Sequence, residues 1–192
     1  MARSIHQPLV WIDCEMTGLD TRVDRIIEIA TLITDSELNV IAEGPELAIH
    51  RPKELLDQMN EWNTKHHTES GLVQRVLDSQ IEIDQADKLT RDFIAEYAEE
   101  HAAPLCGKSV WQDRRFIDME MPLTSRYLFY RNVDVSSFKE MVRRWYPNLE
   151  SFKKANHHRA MDDIRESIEE LKYYREKIFI PVSDYEHSGS DK

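Results

Sequence analysis

Leu9-Val10-Trp11-Ile12-Asp13-Cys14-Glu15-Met16 sets two carboxylates inside an otherwise apolar run. In a strand alternate side chains share a face, so Leu9, Trp11, Asp13 and Glu15 point one way and Val10, Ile12 and Cys14 the other. Both faces are apolar over the first half, as in a strand buried within an α/β sheet. Two ionised acids at its far end would repel and lose hydration, a cost that a divalent cation relieves most simply. Read alone, Asp-x-Glu is common and also marks a strand that is merely reaching solvent.

Outward from this run, Thr17-Gly18-Leu19-Asp20 reads as a turn. Residues 26–33 form a second strand, and 39–44 with 46–49 a third, broken near Gly44-Pro45. Short connections predict an antiparallel meander. Pro52 opens a helix with Leu55, Leu56 and Met59 on one face. A polar stretch, 63–71, separates it from the stripe Leu72, Val73, Val76 and Leu77. Asp84 is placed to cap a longer helix that buries Leu89, Phe93, Ile94 and Tyr97. Residues 104–111 read as a short strand entering a turn, with a helix starting at Gln112. Residues 132–135 form the last short strand, Ser136 caps a helix running through Trp145, and Pro147 stops it. Asn156 caps the final helix, with Met161, Ile164, Ile168 and Leu171 on its apolar face. Strands first and then alternating helices and strands predict one mixed-sheet α/β domain over residues 1–180, with a polar tail at 181–192.

With 192 residues, 41% hydrophobic and 32% charged, the composition is that of an ordinary globular protein. No apolar run is long enough to span a membrane, and the stretch from Met1 to Pro8 lacks the apolar core of a signal peptide. Cys14 and Cys106 are then expected to be reduced thiols, and the location cytoplasmic. The net charge of -11, from 25 basic and 36 acidic residues, argues against a basic stripe tracking a long nucleic-acid backbone. A nucleic-acid substrate would be held at a few phosphates, each at a dedicated contact.

Further chemistry sits at two places. Asp113 falls where a strand gives way to a helix, a position that commonly lines a crevice but also suits an acid in a first helical turn. His157-His158-Arg159-Ala160-Met161-Asp162-Asp163 puts imidazoles beside two acids, and a histidine titrates near neutrality. On a regular helix His158 and Asp162 project about 40° apart and His158 and Asp163 about 140° apart. Asp163 lies nearer the buried flank, so the pattern leaves the choice between the two acids open. Four carboxylates and an imidazole are the parts of two-metal phosphodiester hydrolysis, with oxygen ligands suited to Mg²⁺ or Mn²⁺. A zinc site from His66, His67, His157, His158 and the cysteines lacks a recognisable ligand spacing.

Asp13-x-Glu15, Asp113 within Gly107-Lys108-Ser109-Val110-Trp111-Gln112-Asp113-Arg114-Arg115-Phe116, and His158-x-x-x-x-Asp163 resemble the three exonuclease motifs of the histidine-bearing DEDD superfamily. Asp13-Cys14-Glu15-Met16-Thr17-Gly18-Leu19, Arg25-Ile26-Ile27-Glu28-Ile29-Ala30, Glu61-Trp62-Asn63, His67-Thr68-Glu69-Ser70-Gly71-Leu72 and Ala160-Met161-Asp162-Asp163-Ile164-Arg165-Glu166-Ser167 narrow the likeness to the oligoribonuclease family. The likeness runs from about residue 8 to about residue 178. It implies a ribonuclease-H-like mixed five-stranded sheet flanked by helices. It also implies a 3′-to-5′ exoribonuclease that cleaves short oligoribonucleotides, especially dinucleotides, to mononucleotides. Asp13, Glu15, Asp113 and Asp163 would hold two divalent cations, Mg²⁺ or Mn²⁺, and His158 would be the general base. Within catalysis, Asp162 is then a solvent-facing neighbour.

The resemblance extends to substrate contacts. Leu19 corresponds to a wedge between two bases and Trp62 to an aromatic base contact, although Trp62 by itself suits core packing equally well. Ser109, Ser136 and Ser137 correspond to hydroxyls that bind the 5′ phosphate, and capping is their alternative role. His67 corresponds to a position near the substrate, where its own pattern suggests only a loop residue. Tyr130 and Arg131 would enter the site of a second copy in a homodimer, while the cluster Tyr127, Leu128, Phe129 and Tyr130 suits core and interface alike. Two residues depart from the family pattern. Lys108 replaces the usual Asn, adding either a phosphate contact or a surface charge pair. Trp111 is bulkier than expected there, and either narrows the pocket or fills core.

Overall fold

The computed structural model describes residues 7–153 and 159–180. Within them, β1 (Leu9–Met16), β2 (Ile26–Thr34) and β3 (Val40–Ala48) precede four helices, α1 (Lys53–Leu56), α2 (Glu61–Glu69), α3 (Leu72–Asp78) and α4 (Ile83–Ala95). Then come β4 (Pro104–Gly107), α5 (Trp111–Glu120), α6 (Pro122–Tyr127), β5 (Phe129–Asp134), α7 (Val135–Trp145) and α8 (Ala160–Ile178). The strands make one sheet in the order β3-β2-β1-β4-β5. β1 pairs antiparallel with β2 and parallel with β4, and β4 pairs parallel with β5. The mixed five-stranded sheet flanked by helices is therefore present, with the two-acid strand at its centre.

The parity of β1 decides what lies on each side. Val10, Ile12 and Cys14 join Ile29, Ile33, Ile94, Phe116 and Ile117 in one core, beneath α4 and α5. Trp11, on the parity of the acids, joins Ala30 and Leu32 of β2 and Met161, Ile164, Ile168 and Leu171 of α8 in the other. The apolar face expected of the last helix is thus the one that packs, and it turns α8 onto the acid side of the sheet.

Several boundaries differ from expectation for local reasons. β3 runs unbroken through Gly44-Pro45, because Leu32 pairs with Glu43 and Ala30 with Glu46, a bulge that absorbs one extra residue. β3 is an edge strand, where a missing N–H is tolerated. Asp84 lies in the first turn of α4, whose N-cap is Glu82. Leu89 is 39% exposed, since the helix instead buries Ala86, Asp87, Thr90 and Ile94. Asp87 accepts hydrogen bonds from the backbone N–H groups of Leu123 and Thr124, satisfying the start of α6, a helix not expected from the sequence. The cap of α7 is Asp134, whose carboxylate accepts from Ser136 N–H, rather than Ser136 itself. α8 starts at Ala160, and its N-cap is Arg159, extended before it (φ -131, ψ 139). Asn156, His157, His158 and the expected tail at 181–192 lie outside the described residues. No described helix is long and apolar enough to cross a membrane.

Candidate active site

The acids at the end of β1 meet α8. One carboxylate oxygen from each of Asp13, Glu15 and Asp163 lies within 4.8 Å of the other two. The structure thereby separates Asp163 from Asp162, which turns away to Arg165 at 3.5 Å. Asp113 reaches the same place from the opposite side of the sheet. Past the last β1–β4 pair, Trp11 with Cys106, the backbone of β1 is free to bond elsewhere. There Cys14 N–H donates to Asp113 Oδ1 at 3.0 Å. One oxygen of Asp113 is thus committed to the strand, and Asp113 stands beside the three-acid group rather than within it.

Four acids on so small a buried surface cannot all ionise without compensation. Burial, then the charge of Asp113, then those of Glu15, Asp163 and Glu28, hold the Asp13 carboxyl well above its usual range. Burial, followed by Glu28 and Asp163, pushes Glu15 from 4.5 to about 8. Burial pushes Asp113 from 3.8 to about 7 against the opposing Cys14 hydrogen bond. The donor set is all hard oxygen, and its oxygens converge. These residues fit a divalent cation.

Glu28 is a participant that sequence reading passed over. It pairs in register with Glu15, is 1% exposed, and is neutralised by Arg75 of α3. The available signal was a single acid in the apolar run of β2.

The rim is built from the loop after β1 and from α2. Gly18 leaves room for the Asp24 carboxylate, which would have to shift if a β-carbon stood there. That carboxylate accepts from Thr17 Oγ1 at 3.0 Å and Asp20 N–H at 2.8 Å, setting a tight loop that leaves Leu19 67% exposed. Gln112 Nε2 donates to Leu19 O at 3.1 Å, joining the start of α5 to the same rim.

The polar stretch expected to be a loop is helix α2. Asn60 caps it by accepting from Asn63 N–H, and Gly71 follows its end in the left-handed region (φ 74). Each of its two relevant faces carries a pair of residues four apart. Asn63 Nδ2 donates to Thr17 O at 2.7 Å, and buried His67 Nε2 donates to Met16 O at 3.1 Å. A carbonyl can only accept, so Nε2 carries the proton and Nδ1 faces Glu15 Oε2 at 4.0 Å. Burial lowers the His67 pKa, keeping the ring neutral. On the other face Trp62 stacks on His66 with centroids 4.8 Å apart, and Trp62 is 68% exposed. Trp62 is therefore a surface aromatic and not core.

Ser109 and Ser136 come together, with hydroxyls 3.1 Å apart, and Ser137 is exposed one residue on. Tyr130 and Arg131 lie exposed on β5, the other edge strand, with Arg131 Nε donating to the Tyr130 hydroxyl at 3.1 Å. Leu128 is buried, so the expected aromatic cluster divides between core and surface. Trp111 is 55% exposed, with the Arg115 guanidinium over its ring, and does not fill core. Lys108 forms a charge pair, one of its two alternatives, but its partners are the largely buried Glu166 and Glu170 of α8 rather than surface acids. A cavity of about 710 Å³ lies at the opposite end of β1 against Leu9, Leu38 and Phe138 and contains none of these residues.

Comparison with known proteins identifies the family. The family model RNase_T, described as exonuclease, matches residues 10–171. An oligoribonuclease of Shewanella sp. (strain W3-18-1) is 56% identical over 172 residues, 89% of this chain and 95% of the relative. That of Legionella pneumophila (strain Corby) is 52% identical over 172 residues, 89% of this chain and 92% of the relative. Among solved structures, exonuclease I of Methylocaldum szegediense superimposes with a TM-score of 0.63 at 16% identity, over 90% of this chain and 41% of that one. E. coli exonuclease I in complex with a dT13 oligonucleotide gives 0.65 at 16% identity, over 88% and 41%. The chain thus spans about two fifths of the exonuclease I chains, and the likeness to them establishes a ribonuclease-H-like fold. On the sequence matches, which run through β1, α5 and α8, the chain belongs to the oligoribonuclease family of 3′-to-5′ exoribonucleases.

Proposed function

We propose that the chain hydrolyses short oligoribonucleotides, especially dinucleotides, to 5′-mononucleotides with the help of two divalent cations, Mg²⁺ or Mn²⁺. The observation that carries this reading is the convergence of Asp13, Glu15 and Asp163, with Asp113 beside them. These four carboxylates would hold the ions. When bound, such ions supply the positive charge that lowers the pKa of an attacking water and stabilises the leaving oxygen. His158 takes the proton from that water, as the general base.

The remaining residues hold the substrate. Leu19 wedges between the two bases and Trp62 stacks against one, contacts that tolerate any base. Their exposure supports these roles. His67 holds the end of β1 and lies beside the substrate. Ser109, Ser136 and Ser137 hold the 5′ phosphate. Tyr130 and Arg131 reach the site of a second copy in a homodimer, the Tyr onto a base and the Arg onto the terminal phosphate. An exposed aromatic and an arginine on an edge strand suit such an interface. Closing the far phosphate in this way disfavours long strands, and it suits a chain with net charge -11. The two cysteines, buried and free, fit a reducing compartment such as the cytoplasm.

A comparison of a 5′-phosphorylated RNA dinucleotide with a long single strand, each with Mg²⁺ or Mn²⁺ and with chelator, tests the reading. Rapid, metal-dependent mononucleotide release from the dinucleotide is expected. Efficient attack on the long strand would favour a trimming or proofreading exonuclease instead.

A further inference from the structure

Glu170 of α8 is 1% exposed yet carries a charge that three elements share. Lys108, in the turn between β4 and α5, places its ammonium 2.9 Å from Glu170 Oε2 and 2.6 Å from Glu166 Oε1. Lys139 of α7 lies 3.6 Å from Glu170 Oε1, and the Tyr174 hydroxyl donates to the same oxygen at 2.7 Å. Burial alone would raise the Glu170 pKa, but Lys108, Tyr174 and Lys139 together hold it below the usual value, so it is an anion at neutral pH.

The three elements joined here also carry the two ends of the proposed site. Lys108 precedes Ser109, α7 has Ser136 in its first turn, and α8 carries Asp163. Asp163, Glu166 and Glu170 project within about 60° of one another on α8, at about 100° per residue. Ser109 itself sits in the left-handed region (φ 49), which a β-carbon disfavours. It is held there on one side by its N–H, which donates to Asp134 Oδ1 at 2.9 Å and to Ser136 Oγ at 3.0 Å. Lys108, the residue before it, is tied to α8 through Glu166 and Glu170.

We propose that Lys108, anchored on Glu170 and Glu166, is a positioning residue that fixes the distance between the Ser109–Ser136 hydroxyl pair and the acid site at Asp163, and so sets the substrate length accepted. Its ammonium is turned into the α8 clamp and does not itself contact the phosphate. This rests on the reading of Ser109 and Ser136 as the 5′-phosphate end.

The test is steady-state kinetics on an RNA dinucleotide with a 5′ phosphate and on the same dinucleotide with a 5′ hydroxyl. The wild type is expected to prefer the phosphorylated form. Lys108→Met is expected to raise KM for that form about tenfold, with kcat within about twofold and the 5′-hydroxyl KM unchanged, while Lys108→Arg recovers most of the loss. Glu170→Gln separates positioning from direct attraction. A loosened clamp raises KM, whereas a freed ammonium that simply attracted phosphate would lower it. Should Lys108→Met not fold, Lys139→Met, whose side chain is partly exposed, gives the same comparison with a shift of about threefold. Equal losses on both substrates, no change on either, or a lower KM in Glu170→Gln overturns the clamp. A wild type indifferent to the 5′ phosphate instead overturns the reading of that end.

Discussion

The two ends of the proposed site handle charge in opposite ways. At the end of β1, Asp13, Glu15, Asp113 and Asp163 crowd together, and burial with their mutual repulsion raises the carboxyls of Asp13 and Glu15. At the Ser109 end the buried carboxylate Glu170 has its cations built in, from Lys108 and Lys139, and what reaches the surface is a pair of neutral hydroxyls. One end gathers like charges and the other pairs opposite ones. The difference teaches where an external cation is needed and where the fold supplies its own.

The sharpest way to break this contrast is to remove one acid at a time. Asp163→Ala should lower turnover by at least about 10³-fold, whereas Asp162→Ala, one residue away but turned to Arg165, should stay within about threefold. Equal losses in a single-turnover assay would show that the two acids are not separated as the structure has them.

Next in size is the edge strand. Tyr130→Ala should fold, since its ring is 70% exposed, yet lose activity by about 10²-fold on dinucleotides. Full activity, with circular dichroism unchanged, would remove the second copy from the site.

The smallest effect concerns stability. In metal-free protein Glu15 and Asp113 titrate near about 8 and about 7, above their ordinary 4.5 and 3.8. Between those limits the folded chain holds protons that the unfolded chain has released, so stability should fall as pH rises through that window. Mg²⁺ or Mn²⁺ should therefore raise the melting temperature more at about pH 8 than at about pH 5. A thermal scan showing the opposite trend would mean that the acids are already compensated.

How much of this was legible in the sequence depended on whether apolar burial carried the information. The centre of the sheet was plain because β1 alternates with both faces apolar at first, and α8 was plain because Met161, Ile164, Ile168 and Leu171 repeat at helical spacing. Helix α2 was not, because what docks it is a pair of side chains, Asn63 and His67, bonded to the carbonyls of Thr17 and Met16. Polar anchors leave no hydrophobic period, although the four-residue spacing and the Asn60 cap were there to be read. Residue pattern could not choose between Asp162 and Asp163. The angles counted from His158 assumed a helix already formed at that residue, whereas α8 begins at Ala160, and the packing of Met161 and Ile164 sets its rotation. Lys108 and Trp111 were opaque for a related reason. Glu170 lies on a distant helix, and Trp111 was read as part of the turn, which hid that Arg115 lies four residues on along the same helix.

The central claim is that the acids of β1, α5 and α8 form one cation site. Calorimetric titration of metal-free protein with Mn²⁺ near neutral pH tests it most directly, run on the wild type, Asp163→Ala and Asp162→Ala. Saturable binding with release of protons is expected for the wild type and for Asp162→Ala, with loss in Asp163→Ala. Binding that is the same in all three proteins, or that releases no protons, would contradict the account.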